Sequence, residues 1–328
     1  MATRKEAIDS IKRSIKNAMD DCPTLAKVGR NLTLLYLEDK LDPCYHRDDI
    51  IVNIQKILLR KNKANVLLTG MAGCGKTAIA EGTAAVLAER FIASTQKWLD
   101  ANKEYKKVYK AYERAGELCD CPPAPQQENY FGVNDNTVII EVTFSALVGG
   151  TRYRGDLEER LDALLEECRR HPAFVLFIDE VHQISNAGKC EGGESVAQML
   201  KPALARGDIR LIGATTTEEA SYIWADRALA RRFNEVKVPQ LINRAAVQTA
   251  EGIMEDYCKF HKITTEVPAE NLLCKIIEFL PHSVFPDNFI NVIDETLAGC
   301  RFDGEQTATA THFNATLSRM AGVVIVDA

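Results

Sequence analysis

The hydrophobic and polar positions along the chain fall into two regimes. In residues 1–20, Ile8, Ile11, Ile15 and Met19 recur at helical spacing, with Lys5, Lys12, Arg13 and Lys16 around them. This predicts a short amphipathic helix docked on the domain or on a neighbour. From about residue 48 helix and strand patterns alternate. Asp49–Leu59 reads as a helix and Asn65–Thr69 as a short buried strand; a glycine-rich loop follows, then a helix from Lys76. Further apolar runs occur at 138–142, 174–178, 209–212 and 235–238, most of them separated by helical stretches. Strands alternating with helices predict an α/β domain whose parallel sheet is covered by helices on both faces. Beyond Pro239 the strand signal stops. Residues 245–261, 269–279 and 288–297 read as helices, so a small all-helical domain is expected to follow, and 323–326 as one more strand or a tail. The division predicted is an N-terminal helix (1–22), a sheet domain (23–240) and a helical domain with a tail (241–328). No internal repeat is visible.

One segment departs from this rhythm. Between Gly82 and Gly116 there is neither glycine nor proline, and unbroken helix there would reach about 50 Å at 1.5 Å per residue. Ser94 and Thr95 are candidate caps for a second helix that would bend the segment. Trp98, Tyr105 and Tyr112 recur every seven residues, with Val108 between the last two. Lys97, Lys103, Lys106, Lys107 and Lys110 surround them. The stripe is expected to pack on the returning chain or on the domain, with a docking surface for a partner as the alternative. Cys119 through Gln127, which contains three prolines, forms the loop back to the sheet. The helical insert as a whole covers about 92–136.

Composition narrows the class. The 328 residues carry a formal charge of −6, with 46% hydrophobic and 26% charged residues, ordinary values for a globular chain of about two domains. The mild acidity argues against gripping nucleic acid through net charge. No apolar run is long enough to span a membrane, and Glu6, Asp9, Asp20 and Asp21 spoil a signal- or transit-peptide reading. A cytoplasmic protein without membrane association is expected. The ten cysteines are scattered, and the one close pair, Cys119 and Cys121, has no second pair at zinc-ligand spacing. They read as free, mostly buried thiols.

The chemistry concentrates in two motifs. Gly70-Met71-Ala72-Gly73-Cys74-Gly75-Lys76-Thr77 fits G-x-x-x-x-G-K-[ST], with a strand running into it and a helix leaving it. Its glycines let backbone N–H groups turn inward around phosphates, and the helix that continues through Ala78 adds its positive end. In this reading Lys76 reaches the β- and γ-phosphates of ATP and Thr77 ligates Mg²⁺. At the second motif, the apolar strand 175–178 runs into Asp179-Glu180, placing two carboxylates where ligands of open α/β sheets bind. Asp179 is assigned to Mg²⁺, and Glu180 to orienting and deprotonating the attacking water. The pair of motifs predicts an ATP-hydrolysing enzyme.

Between and beyond these motifs, from about Pro23 to Glu295, the chain resembles the first ATPase module of the Clp chaperone-unfoldase family, within the AAA+ superfamily of P-loop NTPases. The resemblance is carried by Pro23-Thr24-Leu25, Leu41-Asp42-Pro43, Gly75-Lys76-Thr77-Ala78-Ile79, Tyr153-Arg154-Gly155 and Glu158-Glu159-Arg160-Leu161. The run from Leu200 to Gly207, the run from Leu211 to Thr216, Arg231-Arg232-Phe233 and Pro286-Asp287 complete it. It implies a ring, usually a hexamer, with ATP bound at subunit interfaces, and makes the C-terminal helices a lid domain. Thr216 matches the family's sensor for the γ-phosphate, and Arg231 and Arg232 match the arginine fingers that reach a neighbour's ATP. Tyr153, flanked by Arg152 and Arg154, matches the pore-loop aromatic that grips substrate polypeptide, and 188–194 resembles the second pore loop. Cys44, Tyr45 and His46 stand where the family has smaller aliphatics and a glycine lining the adenine pocket. Asn288 replaces a lysine of the lid, and the insert is far longer than the family's link. The loop that docks the Clp peptidase belongs to a second module, so no peptidase partner is expected.

The function expected is an ATP-driven ring that remodels, unfolds or threads protein substrates. The alternative is an ATP-switched scaffold that recruits a partner through its insert without threading. Nucleic-acid remodelling is the weakest of the three readings, given the net charge and the Clp-like strings.

Overall fold

The computed structural model describes residues 2–115, 121–127, 135–149, 154–183 and 196–325. Its contacts divide the chain into two units. One comprises Met1–Pro43, Asp49–Leu68 and Thr77–Val236; the other comprises Cys44–Asp48, Thr69–Lys76 and Lys237–Ala328.

The first unit is organised by a six-stranded sheet of β1 (Gly29–Asn31), β2 (Asn65–Thr69), β3 (Val138–Val142), β4 (Phe174–Ile178), β5 (Arg210–Thr215) and β6 (Phe233–Lys237), in the order β1-β3-β4-β5-β2-β6. β3, β4 and β5 pair in parallel, and the short β1 closes one edge antiparallel to β3. Every residue of β2, β3 and β4 is buried, which is why these strands read as continuous rather than alternating apolar runs. The one carboxylate among them, Glu141, is paired with Arg30 of β1 at 3.0 Å.

Helix α1 (Arg4–Asp20) starts at a capping box in which Thr3 and Glu6 satisfy each other's backbone N–H groups. Its Ala7, Ile11 and Ile15 are buried in the same core as Phe91 and Leu176, so the amphipathic helix docks on its own unit. The short α2 (Pro23–Val28) has no cap of its own. Glu167 of α7 (Arg154–Arg170), only 3% exposed, accepts from the Thr24 and Leu25 N–H groups, each at 2.8 Å. A buried carboxylate at a helix N-terminus is stabilised by both hydrogen bonds and by the helix dipole.

The segment after the glycine-rich loop corrects one expectation. α5 runs unbroken over Lys76–Ala115, 40 residues, about 60 Å at 1.5 Å per residue. Ser94 and Thr95 do not cap a second helix. Both are buried in the packed half; Ser94 Oγ bonds the Asp135 carboxylate at 2.5 Å and Thr95 Oγ1 makes no hydrogen bond among the described residues, so neither hydroxyl competes for the helix backbone. No residue of α5 beyond Thr95 is fully buried. Of the aromatic stripe, Trp98, Tyr105 and Tyr112 are half-buried. The Trp98 indole donates to the Pro125 carbonyl at 3.3 Å, and Tyr105 contacts Cys121, so the returning chain covers part of the stripe.

The second unit is built on α11 (Asn243–His261), α12 (Ala269–Phe279), α13 (Asp287–Asp303) and α14 (Ala310–Ala321), with a parallel pair of two-residue strands, β7 (Thr264–Thr265) and β8 (Thr307–Ala308). Leu272, Ile276, Phe289, Val292, Leu297, Phe313 and Leu317 fill its core. α14 and the small strands escaped the sequence reading. Val323 and Val324 form no strand; they are exposed after Gly322 ends α14 in the left-handed region. The eight described cysteines are free thiols, of which Cys22, Cys74, Cys168 and Cys300 are buried.

Replacing Glu167 with alanine strands two buried donors. It is expected to cost about 2–3 kcal/mol and to speed hydrogen exchange at the Thr24 and Leu25 amides on the order of 30-fold or more. Unchanged protection at both amides would rule out the carboxylate as the cap of α2.

Candidate functional site

The glycine-rich loop begins where β2 ends. Gly73 (φ +77°) and Gly75 (φ +91°) lie in the left-handed region, which side-chain-bearing residues adopt only with strain. A Cβ on Gly73 would also come within 2.8 Å of Asp287 Cβ. The turn is closed by the Cys74 N–H donating to the Met71 carbonyl at 3.3 Å, and the buried Cys74 thiol is pushed up in pKa by desolvation. Met71, Ala72 and Gly73 are exposed. Lys76 Nζ donates to the Gly70 and Met71 carbonyls at 3.1 and 2.9 Å. Those bonds hold the ammonium over its own loop, on weak acceptors that a phosphate oxygen outcompetes.

A second strut comes from the segment before α4 (Asp48–Leu58). Arg47, 6% exposed, donates to the Pro239 and Cys74 carbonyls, both at 2.8 Å, and burial lowers its pKa. His46 has φ +52°, so it holds the left-handed conformation for which a glycine is the usual choice, and histidine is among the residues that tolerate it. Tyr45 donates to Asp256 Oδ2 at 2.5 Å. Its ring lies against Gly252, where a Cβ would fall 2.6 Å from the ring carbons.

In the first unit the acidic pair follows β4 directly. Thr77 Oγ1 donates to Asp179 Oδ2 at 2.6 Å, and the Glu180 N–H donates to Asp179 Oδ1 at 2.9 Å. Glu180 is exposed with φ +50°, and Gln183 donates to its carboxylate. The parallel register pairs Ile178 with Gly213, and the Val181 N–H continues it to the Ala214 carbonyl at 2.9 Å. Thr215 and Thr216 therefore leave β5 beside the acidic pair. Thr216 Oγ1 donates to Glu219 at 2.7 Å and its N–H to the same oxygen at 3.3 Å. His182 Nδ1 lies 3.0 Å from Thr215 Oγ1 and 3.3 Å from Glu219. The Thr216 hydroxyl, foremost among these contacts, holds the Glu219 carboxyl below its usual pKa.

Arg47, His182 and Glu219 were missed from sequence. Glu219 had a local signal, since Thr216-x-x-Glu219 is a capping-box spacing and the Ala220 N–H does bond the Thr216 carbonyl at 3.0 Å. Arg47 and His182 meet their partners only through tertiary contacts.

The donors suit Mg²⁺. A hydroxyl and a carboxylate already in contact are hard oxygen ligands, and this ion takes one or two protein oxygens and completes its shell with phosphate and water. Among the described residues no group of three or more His, Cys, Asp or Glu side chains could hold a metal.

The remaining residues lie apart from the acidic pair. Arg231 and Arg232 follow the short α10 (Arg227–Ala230) and lead into β6, which β5 and β2 separate from β4. Arg231 is exposed, Arg232 half-buried. Arg154 opens α7; Arg152, Tyr153 and 188–194 lie outside the described residues.

The family model described as "ATPase family associated with various cellular activities (AAA)" matches residues 66–241. The chaperone protein ClpC2 of Arabidopsis thaliana chloroplasts is 37% identical over 281 residues, covering 85% of this chain and 25% of its own length. The chaperone protein ClpB of Wolinella succinogenes is 35% identical over 311 residues, covering 93% and 32%. Among solved structures, the chain is similar to Hsp104 in a closed state with ATPγS and FITC casein, at TM-score 0.69 and 28% identity, covering 91% of this chain and 45% of that one. The chain thus spans about a quarter to a third of the length of the curated relatives it matches. Among the described residues no helix is long and apolar enough to cross a membrane.

Titration of the Glu219 side chain by NMR should give a pKa below that of an ordinary glutamate, and Thr216→Val should raise it. Because the folded-state pKa is depressed, the contact contributes stability above the unfolded pKa and loses it as pH falls through the folded value. Identical titration in the two proteins would refute the pairing.

Proposed function

The chain belongs to the AAA ATPase family, and from that premise we propose that it hydrolyses ATP with Mg²⁺ and, in a ring of about six copies, uses the cycle to remodel or thread polypeptide. The observation that carries this reading is the contact between Thr77, next to the loop lysine, and Asp179, first of the acidic pair.

The roles follow from the chemistry of each group. Lys76 exchanges its loop carbonyls for the β- and γ-phosphates, and the N–H groups of Gly73 and Gly75 offer further donors to the same charge. Thr77 and Asp179 would hold Mg²⁺, which would supply positive charge against the phosphates. Glu180, exposed and free of a cationic partner among the described residues, takes a proton from the attacking water. Thr216 is held by Glu219 within reach of the acidic pair; its hydroxyl reports the γ-phosphate by exchanging that partner. Arg231 and Arg232 make no ion pair among the described residues and act on the ATP of a neighbouring copy, where a guanidinium is worth roughly 10³–10⁵ in rate. Tyr153 presses on an extended polypeptide in the channel, and Arg152 and Arg154 give its loop positive charge. Hsp104, the structural relative, has been captured with casein, which supports a polypeptide as substrate here.

One observation favours a second reading, the ATP-switched scaffold. The last twenty residues of α5 carry no fully buried side chain, a surface suited to recruitment.

Glu180→Gln should lower kcat for ATP at least about a hundredfold while leaving nucleotide affinity intact. Mixing it with an Arg231→Ala/Arg232→Ala variant should restore part of the rate, since mixed interfaces pair an intact Glu180 with intact arginines. Mixtures that stay dead would sink the trans assignment. Tyr153→Ala should retain ATPase activity and lose unfolding of a model substrate; retained unfolding would eliminate threading. Deleting 97–127 should leave unfolding intact if the ring threads. Lost partner binding with normal ATPase would instead support the scaffold.

A further inference from the structure

The glycine-rich loop is anchored at both ends to one short piece of chain, Val238-Pro239. At the entrance, the Val238 N–H donates to the carbonyl of Thr69, the last residue of β2, at 2.7 Å. A Cβ on Gly70 would fall 2.6 Å from the Val238 carbonyl oxygen, so the two backbones touch. At the exit, one nitrogen of the buried Arg47 guanidinium donates to the Pro239 carbonyl and another to the Cys74 carbonyl, both at 2.8 Å. All of these residues belong to the second unit.

The bond to Cys74 also fixes the peptide that follows. The Cys74–Gly75 peptide is trans, and in a trans peptide the carbonyl and the next N–H lie in one plane and point opposite ways. Holding the Cys74 carbonyl on Arg47 therefore aims the Gly75 N–H away from Arg47. That N–H has no hydrogen-bond partner among the described residues, and Gly75 is only half-buried. An oriented donor with no partner, next to Lys76, is what an anion's oxygen requires.

We propose that Arg47 is a positioning residue for phosphate binding. By holding the Cys74 carbonyl it points the Gly75 N–H at the phosphates of a bound nucleotide, and by holding the Pro239 carbonyl it ties that peptide to the segment that anchors the loop's entrance. The proposal rests on the reading of the loop as the ATP site, and adds to that site a residue outside both motifs. Arginine suits the task because its planar fork spans two carbonyls from separate segments, which the point charge of a lysine does not reproduce. A carbonyl held by a charged donor stays in place when the ligand leaves, so the N–H is aimed before the nucleotide arrives.

The test uses the full chain labelled with ¹⁵N-glycine, with ADP as the probe. In the wild type, saturating ADP should move the Gly75 amide proton downfield as it engages a phosphate. Arg47→Lys and Arg47→Met should each weaken ADP at least about tenfold, the scale of one hydrogen bond to a charged group, and should shrink the Gly75 shift at saturation. Arg47→Lys decides the matter if Arg47→Met does not fold, since it keeps a donor and the charge. A folded variant that binds ADP weakly but shows the full Gly75 shift overturns the proposal, because its loss is then structural. Arg47→Lys binding ADP as the wild type does overturns it as well. Failure of the underlying reading looks different: a wild type that does not bind ADP, or binds it equally well in Lys76→Ala, refutes the loop as the nucleotide site and this role of Arg47 with it.

Discussion

The parallel pairing of β3, β4 and β5, buried on both faces, is the constraint on which the rest of the first unit depends. Parallel strands all finish at one edge, so whatever follows each strand is delivered to the same place. The register that sets Ile178 against Gly213 brings the Asp179–Glu180 pair to the same end of the sheet as Thr215 and Thr216, although more than thirty residues of chain lie between them. The same parallelism gathers the starts of the three strands at the other edge, where the insert returns. One backbone arrangement thus creates two ends, one of which carries the acidic pair.

The groups assigned to the proposed chemistry already have partners, each within its own unit. Lys76 rests on two carbonyls, Thr77 on Asp179, and Thr216 on Glu219. In the proposed function each of these is a bond that a phosphate or a metal ion would replace with a stronger one, so that binding would reorganise few atoms. The buried Arg47 performs a comparable service for the loop, with a guanidinium fork spanning two backbone segments. Glu180 has the opposite character. Exposed, and in the left-handed region, it is placed by the backbone rather than by packing, which suits a group that must meet water.

The insert splits α5 into two regimes. Its first half is buried in the core as far as Ser94 and Thr95; its second half has no fully buried side chain and is held by Leu99 against the core, by Asp100 and Lys103 on Ala2 and Glu6, and by the returning chain. A single helix joins them because no residue in the segment breaks it, and the buried hydroxyls that were candidate caps found side-chain partners or burial instead. The stretch 121–127 then passes the aromatic stripe, and its Gln126 and Gln127 line one cavity with the first residues of β3, β4 and β5.

The sequence by itself determined the elements whose signal is local. The continuous apolar runs marked the strands of a two-faced buried sheet, the amphipathic spacing of Ile8, Ile11 and Ile15 marked α1, and G-x-x-x-x-G-K-T with Asp-Glu after a strand marked the phosphate chemistry. These were legible because backbone propensity, burial period and motif act over a few residues. Only the tertiary structure decided that α5 is one helix, that Glu167 caps α2 from 143 residues away, and that Arg47 braces the glycine-rich loop. It also assigned Glu219 and His182 to the threonines of β5. The physical reason is common to all of them. A buried polar or charged group must find a partner, and which partner it finds is set by which distant segments the sheet brings within hydrogen-bond reach.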